Sequence, residues 1–178
     1  MDVLSGRGKP SGAGDELQGG RSASWRRVDG AYDALGRGIR QTGNVMSNGI
    51  WVLTEDLKFA SDPGWFGRRV AVLNATNNAL VRSCVQGVDL TGTEAGAGGV
   101  GGLLWLGLNS GPAPGTHFVA YDGYGNVCRL LSAFTGTETA PCTYGPFGEP
   151  LRTTGPAAPF NPCRLGTKRN DTATGLVL

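Results

Sequence analysis

The chain has 178 residues, of which 31 are Gly and 10 are Pro, and it carries a formal net charge of +2 at pH 7. This glycine content argues against long helices, because each Gly inside a helix costs roughly 1 kcal/mol relative to Ala. The sequence has no basic cluster of the kind that nucleic-acid-binding proteins carry. It also has no apolar run of the eighteen or so residues that a membrane-spanning helix needs.

The first 28 residues consist mainly of Gly, Ser and charged residues without any periodicity. Segments of this kind offer too little apolar surface to offset the entropy of ordering, so we predict that residues 1–28 are disordered. They also lack the apolar core of a secretory signal peptide. A single domain is predicted over residues 29–178.

From Tyr32 onward, short apolar segments alternate with clusters of Gly, Asn and Asp. Strand, turn and strand in immediate succession indicate β-hairpins, and Asn and Gly accept the positive φ that tight turns require. We predict turns at residues 74–78, 122–126 and 145–148. No window of helical length carries a period near 3.6 residues. The predicted fold is therefore all-β, built from antiparallel hairpins in tandem.

A short motif recurs within these hairpins. Residues 32–37 and 121–126 both read Y-D-x-x-G-[RN], and residues 144–149 keep Tyr and Gly but have Gly in place of Asp. Tyr can close a strand and pack on a neighbouring hairpin. Asp can accept a hydrogen bond from the amide two residues on, and Gly supplies the unusual backbone angle. The motif residues with a predicted structural role are Tyr32, Asp33, Gly36, Tyr121, Asp122, Gly125, Asn126, Tyr144 and Gly148.

This motif resembles the YD repeat of RHS proteins, and residues 116–127, 144–150, 154–156 and 161–165 are similar to the RHS-repeat-associated core region. The resemblance covers residues 29–178. It implies a bacterial protein whose hairpins pair edge to edge into a spiralling sheet, part of a shell around a C-terminal effector. It also implies a secreted or cell-surface location.

The chain departs from the family pattern in two respects. Family members continue beyond the position of Leu178 with a cleavage motif and an effector, so the resemblance implies a core region truncated at its C-terminus. Cys84, Cys142 and Cys163 stand where the pattern has Tyr, Tyr and Phe. We expect these thiols and Cys128 to be free, and we expect the aromatic reversions to raise the thermal midpoint.

The sequence offers no convincing catalytic, cofactor or metal site. Residues 96–101 satisfy G-x-G-x-x-G, but the glycines and prolines that follow exclude the helix that a dinucleotide site needs. The segment Asp62-Pro63-Gly64 contains Asp-Pro but stands where the family has a Tyr-Asp turn, so the family's cleavage role is not assigned to it. The only histidine, His117, lies on a predicted strand, and the cysteine spacing fits no zinc motif.

The sequence therefore predicts a non-catalytic structural module whose partners are neighbouring repeat segments or an effector domain. Two alternatives stay open. One is a carbohydrate-binding repeat, which exposed Trp51, Trp65 or Trp105 on one sheet face would favour. The other is a decayed or truncated gene product with no independent function.

Overall fold

The structure, a computed structural model, describes residues 25–64, 68–94 and 96–170. These residues form ten antiparallel strands in one sheet, and the order of the strands in space is their order in the sequence. The strands are β1 (Arg26–Tyr32), β2 (Gly38–Ser47), β3 (Ile50–Ser61), β4 (Arg69–Asn74), β5 (Leu80–Gln86), β6 (Leu103–Leu108), β7 (Gly115–Tyr121), β8 (Val127–Ser132), β9 (Glu138–Tyr144) and β10 (Pro150–Thr153). The only helical segments among the described residues are two single-turn 3-10 helices, Ala158–Phe160 and Leu165–Thr167.

The predicted all-β hairpin architecture is confirmed. The three predicted turns connect β4 to β5, β7 to β8 and β9 to β10. Asn48, between β2 and β3, and Asn78, between β4 and β5, take positive φ values of 50° and 58°, as expected of the residue that tolerates this region best after Gly. Every strand pair except β6–β7 contains a register shift, and such bulges increase the twist of a sheet.

The N-terminal boundary differs from the prediction. β1 begins at Arg26, and Arg26 and Val28 pair with Val45 and Gly43 of β2. Backbone pairing with a neighbouring strand needs no apolar side chains, so composition alone placed this boundary a few residues too late. The prediction of disorder for residues 1–24 lies outside the described residues.

One face of the sheet is covered by the chain that follows β10. This cover segment, residues 154–170, is tied to the sheet by backbone bonds from Ala157 N to Thr139 O and from Val127 N to Arg164 O. The main core lies beneath it, where Leu106 and Leu130 are fully buried. A smaller cluster of Leu57, Phe59 and Val72 continues the buried layer across β3 and β4.

The opposite face of the sheet has no cover among the described residues. Successive side chains of a strand point to opposite faces, so the register aligns Val85, Trp105, Phe118 and Leu131 in a row across β5 to β8 on this open face. The side chain of Phe118 is 53% exposed. The described residues contain no helix of the length and apolarity that crossing a bilayer would require.

Candidate functional site

The two full copies of the motif form the same hydrogen-bonded turn. Asp122 Oδ1 accepts bonds from the amides of Tyr124 and Asn126 at 2.9 and 3.0 Å, and its Oδ2 accepts one from Asn126 Nδ2. Asp33 does the same with the amides of Leu35 and Arg37, both at 2.9 Å, and with the Arg37 guanidinium. These bonds lower the pKa of both carboxyl groups.

The glycine of the motif follows from the same geometry. Gly36 and Gly125 have φ values of 76° and 77°, and each donates its amide to the carbonyl of the motif Asp. L-residues with side chains rarely adopt this conformation, which explains why Gly stands at both positions. Asp33, Gly36, Asp122 and Gly125 make the contacts described for the motif, whereas Asn126 has no positive φ and instead donates its side-chain amide to Asp122.

A further turn of this type was missed from the sequence. In residues 88–93, Asp89 Oδ1 accepts a bond from Thr91 N, Asp89 N donates to Thr93 O, and Gly92 N donates to Asp89 O with a φ of 75°. Val88 stands where the motif has Tyr, so the Y-D-x-x-G pattern does not include this turn. The shorter pattern D-x-x-G would have found it.

Asp89 also organises the glycine-rich loop that follows. Its Oδ2 accepts bonds from the amides of Ala97 and Gly99, while the Thr91 hydroxyl donates to Oδ1. The Thr91 hydroxyl is the largest of the influences that lower the pKa of Asp89 to about 2, followed by the backbone amides of Thr91, Ala97 and Gly99. The loop leads into strand β6 at Leu103, so no helix follows the G-x-G-x-x-G pattern.

In the third motif copy, the carboxylate comes from the other side of the turn. Gly145 replaces Asp, and Glu149 Oε2 accepts the amide of Phe147 at 3.1 Å, the bond that Asp122 makes with Tyr124. The Glu149 carboxylate occupies the space into which a Cβ at position 145 would project. Gly148 keeps the left-handed backbone, with a φ of 83°.

Five connections share one end of the sheet, because consecutive strands alternate in direction. They are the connections β1–β2, β3–β4, β5–β6, β7–β8 and β9–β10. In the remaining connection at this end, between β3 and β4, Asp62 Oδ1 accepts the amide of Gly64 at 2.8 Å. Each of the five connections therefore has a carboxylate that accepts a backbone amide two residues away. We call this end of the sheet the repeat end.

The motif tyrosines link neighbouring strands at the repeat end. Tyr121 closes β7 and its hydroxyl donates to Leu103 O at the start of β6, at 2.5 Å. Tyr144 closes β9 and donates in the same way to Val127 O at the start of β8, at 2.8 Å. Burial raises the pKa of both phenols, so each hydroxyl stays a donor at physiological pH.

Tyr32 closes β1, the edge strand, and is placed differently from the other two. Its ring lies against Gly30 and its side chain is 54% exposed. Tyr121 and Tyr144 each bond to the preceding strand, and no strand precedes β1 among the described residues. Within that part of the chain the Tyr32 hydroxyl has no strand-start carbonyl to bond.

An apolar ribbon projects from the third strand, two positions in from this edge. β3 pairs with β4 only from Leu57 onward, so its first residues pair with β2 alone. Four consecutive apolar residues in this part are exposed: Ile50 at 68%, Trp51 at 39%, Val52 at 48% and Leu53 at 56%. We call residues 44–53 of the β2–β3 hairpin the arm.

No protein-family model matches the chain, and no curated protein sequence matches it either.

The remaining chemically active side chains have structural surroundings. His117 is buried on β7, with its ring nitrogens within hydrogen-bonding distance of Thr139 Oγ1 and Ala113 O. All four cysteines are free, and burial raises the pKa of Cys163 to about 12 and also raises that of Cys84. A thiol with a raised pKa is a poor nucleophile at neutral pH, because little of it is ionised.

Proposed function

We propose that this chain is a non-catalytic structural module that adds its ten-stranded sheet to further β-structure, as a section of a β-shell that encloses or presents an effector. The observation that carries the proposal is that β1 is an edge strand among the described residues. Each motif tyrosine inside the sheet reaches the start of the preceding strand, and Tyr32 has the same position at the end of the edge strand. A strand docked on β1 would give Tyr32 the acceptor that Leu103 gives Tyr121.

The arm is a second surface that a neighbouring module could cover. Exposed strand edges and runs of exposed apolar residues are surfaces that proteins normally cover. Ile50 to Leu53 form such a run, in the hairpin that pairs with β1. This run is separated from β1 by β2, and its unpaired edge faces the β4 side of β3, so a module that covered the arm would sit beside β3.

The chemistry of the buried groups supports a non-catalytic role. His117 packs beneath the cover segment and lies within bonding distance of Thr139 and Ala113. The thiols of Cys84 and Cys163 have raised pKa values. The carboxylates at the repeat end accept amides of their own turns, and this use holds them in fixed turns rather than presenting them to a substrate.

The proposal is tested by association of the purified chain, measured by sedimentation over a range of concentrations. β1 of one copy can pair with β10 of another, so we expect concentration-dependent, open-ended association. Tyr32→Phe should weaken it about fivefold, because the hydroxyl bond to the docked strand, worth about 1 kcal/mol, is lost. Tyr124→Phe is the matched control, since Tyr124 lies on the turn between β7 and β8 and is 84% exposed.

A chain that stays monomeric at every concentration would contradict the proposal. Equal effects of Tyr32→Phe and Tyr124→Phe would also contradict it, because they would show that the association does not depend on the edge of β1. Hydrogen exchange supplies a second measurement. The amides of β1 should become more protected in the associated state than in the monomer.

Carbohydrate binding is a second candidate, favoured by the pairing of Trp105 with Phe118 on the open face. Trp51 is exposed on the arm, and Trp65 lies outside the described residues. Titration with oligosaccharides should quench tryptophan fluorescence in the wild type and not in Trp105→Leu. Fluorescence that is unchanged across a panel of glycans would remove this candidate.

A further inference from the structure

A cavity of about 340 Å³ lies between the covered face of the sheet and the cover segment. β4 and β5 form one wall, the glycine-rich loop forms its rim, and residues 162–169 form the other wall. The lining includes none of the motif Asp, Tyr or Glu residues of the repeat end and no residue of the arm. Its volume is within the range of pockets that hold small ligands.

The described side chains that line this cavity carry positive charge only. Five of them are cationic and none is Asp or Glu; the five are Arg68, Arg69, Arg82, Lys168 and Arg169. The whole chain has 16 Lys and Arg against 14 Asp and Glu, so the arrangement is a local concentration and not a general excess. Like charges around a partly enclosed space raise its positive potential and attract anions.

Three of these side chains make contacts that orient them along the cavity wall. Arg82 Nη1 donates to Phe160 O at 3.2 Å, and Arg169 Nη2 donates to Gln41 Oε1 at 3.1 Å. Arg69 stacks on the ring of Phe59, with its guanidinium carbon 3.7 Å from the ring centroid. Carbonyls, amides and aromatic rings orient a guanidinium without neutralising its charge.

Arg82 provides the most direct sign of a missing partner. Its Nε is buried and has no acceptor in the structure. A buried donor without an acceptor is costly, and the cost is greater when the donor is charged. Arg82 lies on β5, in the sheet wall of the cavity, so an anion in the cavity would stand beside this group.

We propose that this cavity binds a small multivalent oxyanion, such as a phosphate-bearing or polycarboxylate molecule. The planar forks of the guanidinium groups match the paired oxygens of phosphates and carboxylates. An anion with several charged oxygens can contact more of the five cationic side chains that line the cavity than a monovalent ion can. Because Arg82 belongs to the sheet and Lys168 and Arg169 to the cover segment, the anion would also clamp the two together.

The test uses the full chain and two probe anions, pyrophosphate and citrate, at constant ionic strength adjusted with NaCl. Binding is measured by isothermal titration calorimetry, and clamping by the shift of the thermal midpoint. We expect saturable one-to-one binding of at least one probe and a higher midpoint in its presence. Preference for pyrophosphate would identify a phosphate ligand, and preference for citrate would identify a polycarboxylate.

Arg82→Gln should weaken this binding about tenfold, the effect of losing one strong charge-assisted contact. Arg152→Gln, which removes an exposed arginine on β10 outside the cavity, is the control and should leave it unchanged. Lys168→Gln provides a second cavity variant at an exposed position, so a folding defect of Arg82→Gln would not leave the proposal without a test. We expect Lys168→Gln to weaken binding severalfold.

Absence of saturable binding of both probes would overturn the proposal. Equal losses in Lys168→Gln and Arg152→Gln would overturn it as well, because they would indicate diffuse attraction to the net charge. The site does not depend on association of the sheet. A chain that is monomeric and binds pyrophosphate would disprove the shell module and keep the anion site.

Discussion

The third repeat turn allows a direct test of the rule that each turn at the repeat end needs one carboxylate. In residues 145–149 this carboxylate belongs to Glu149, and it fills the space beside Gly145 where the other motif copies place the side chain of Asp. Residues 122–126 have the opposite arrangement, with Asp122 and Asn126. The test is therefore to exchange the two positions through Gly145→Asp, Glu149→Asn and the double variant.

The expected free energies follow from the contacts. Glu149→Asn removes one charge-assisted bond to the Phe147 amide at an exposed turn, so the free energy of unfolding should fall by about 1 kcal/mol. Gly145→Asp supplies a new acceptor for that amide but displaces Glu149 and places two carboxylates together, so it should cost about 0.5 kcal/mol. The double variant recreates the arrangement of residues 122–126 and should be at least as stable as the wild type.

The coupling between the two substitutions should therefore be about 1–2 kcal/mol. For a chain of this size, each kcal/mol corresponds to a change of about 2–4 °C in the thermal midpoint. Circular dichroism melts of the four proteins measure it. Gly123→Asp is the control, because its Cβ would meet no atom within 4 Å, and its midpoint should stay within about 1 °C of the wild type. Strictly additive effects would refute the reasoning.

Three further predictions concern the core, the glycine-rich loop and the cysteines. Leu130→Ala should lower the free energy of unfolding, measured by chemical denaturation, by about 3–5 kcal/mol, because Leu130 is fully buried. The control, Leu151→Ala at a 67% exposed position, should change it by less than about 0.5 kcal/mol. The pKa of the Asp89 carboxyl is lowered from its usual 3.8 to about 2, so the stability it contributes is complete above pH 3.8 and is lost as the pH falls through about 2. Asp89→Asn should therefore flatten the dependence of the thermal midpoint on pH between these values. An unchanged dependence would contradict the assignment. Cys163→Phe should raise the thermal midpoint, because Cys163 lines the cavity beneath the cover segment. Cys142→Tyr should lower the thermal midpoint by overpacking, because Cys142 is buried and does not line the cavity. This second result is contrary to what the sequence alone predicts.

The sequence was sufficient to predict the hairpin architecture, because the signals for it are local. A turn is determined by a few adjacent residues, such as Asp122 and Gly125, whose side-chain acceptor and backbone freedom act within the turn itself. The turn at residues 74–78 was predicted for the same reason, and Asn78 adopts the left-handed conformation there. The turn at Asp89 was missed only because Val88 stands in place of Tyr.

The hydroxyl partners of Tyr121 and Tyr144 required the tertiary structure, since each lies 17 or 18 residues away in the sequence. The same is true of the compensation between Gly145 and Glu149, because only the coordinates place the carboxylate in the space of the absent side chain. Register decides which residues face each other. A shift of one residue moves every side chain of a strand to the other face, so sequence patterns could not assign these partners.

The cationic cavity is the feature that the sequence concealed most completely. Arg69 and Arg82 lie on neighbouring strands, but Arg169 reaches them only because the cover segment returns across the sheet to place its guanidinium on Gln41, 128 residues earlier. Local propensities determine where the strands and turns of this protein begin and end. The path of a segment without regular structure depends on burial and on long-range hydrogen bonds, which exist only once the sheet has formed, and for this reason the tertiary structure alone decided where the charges meet.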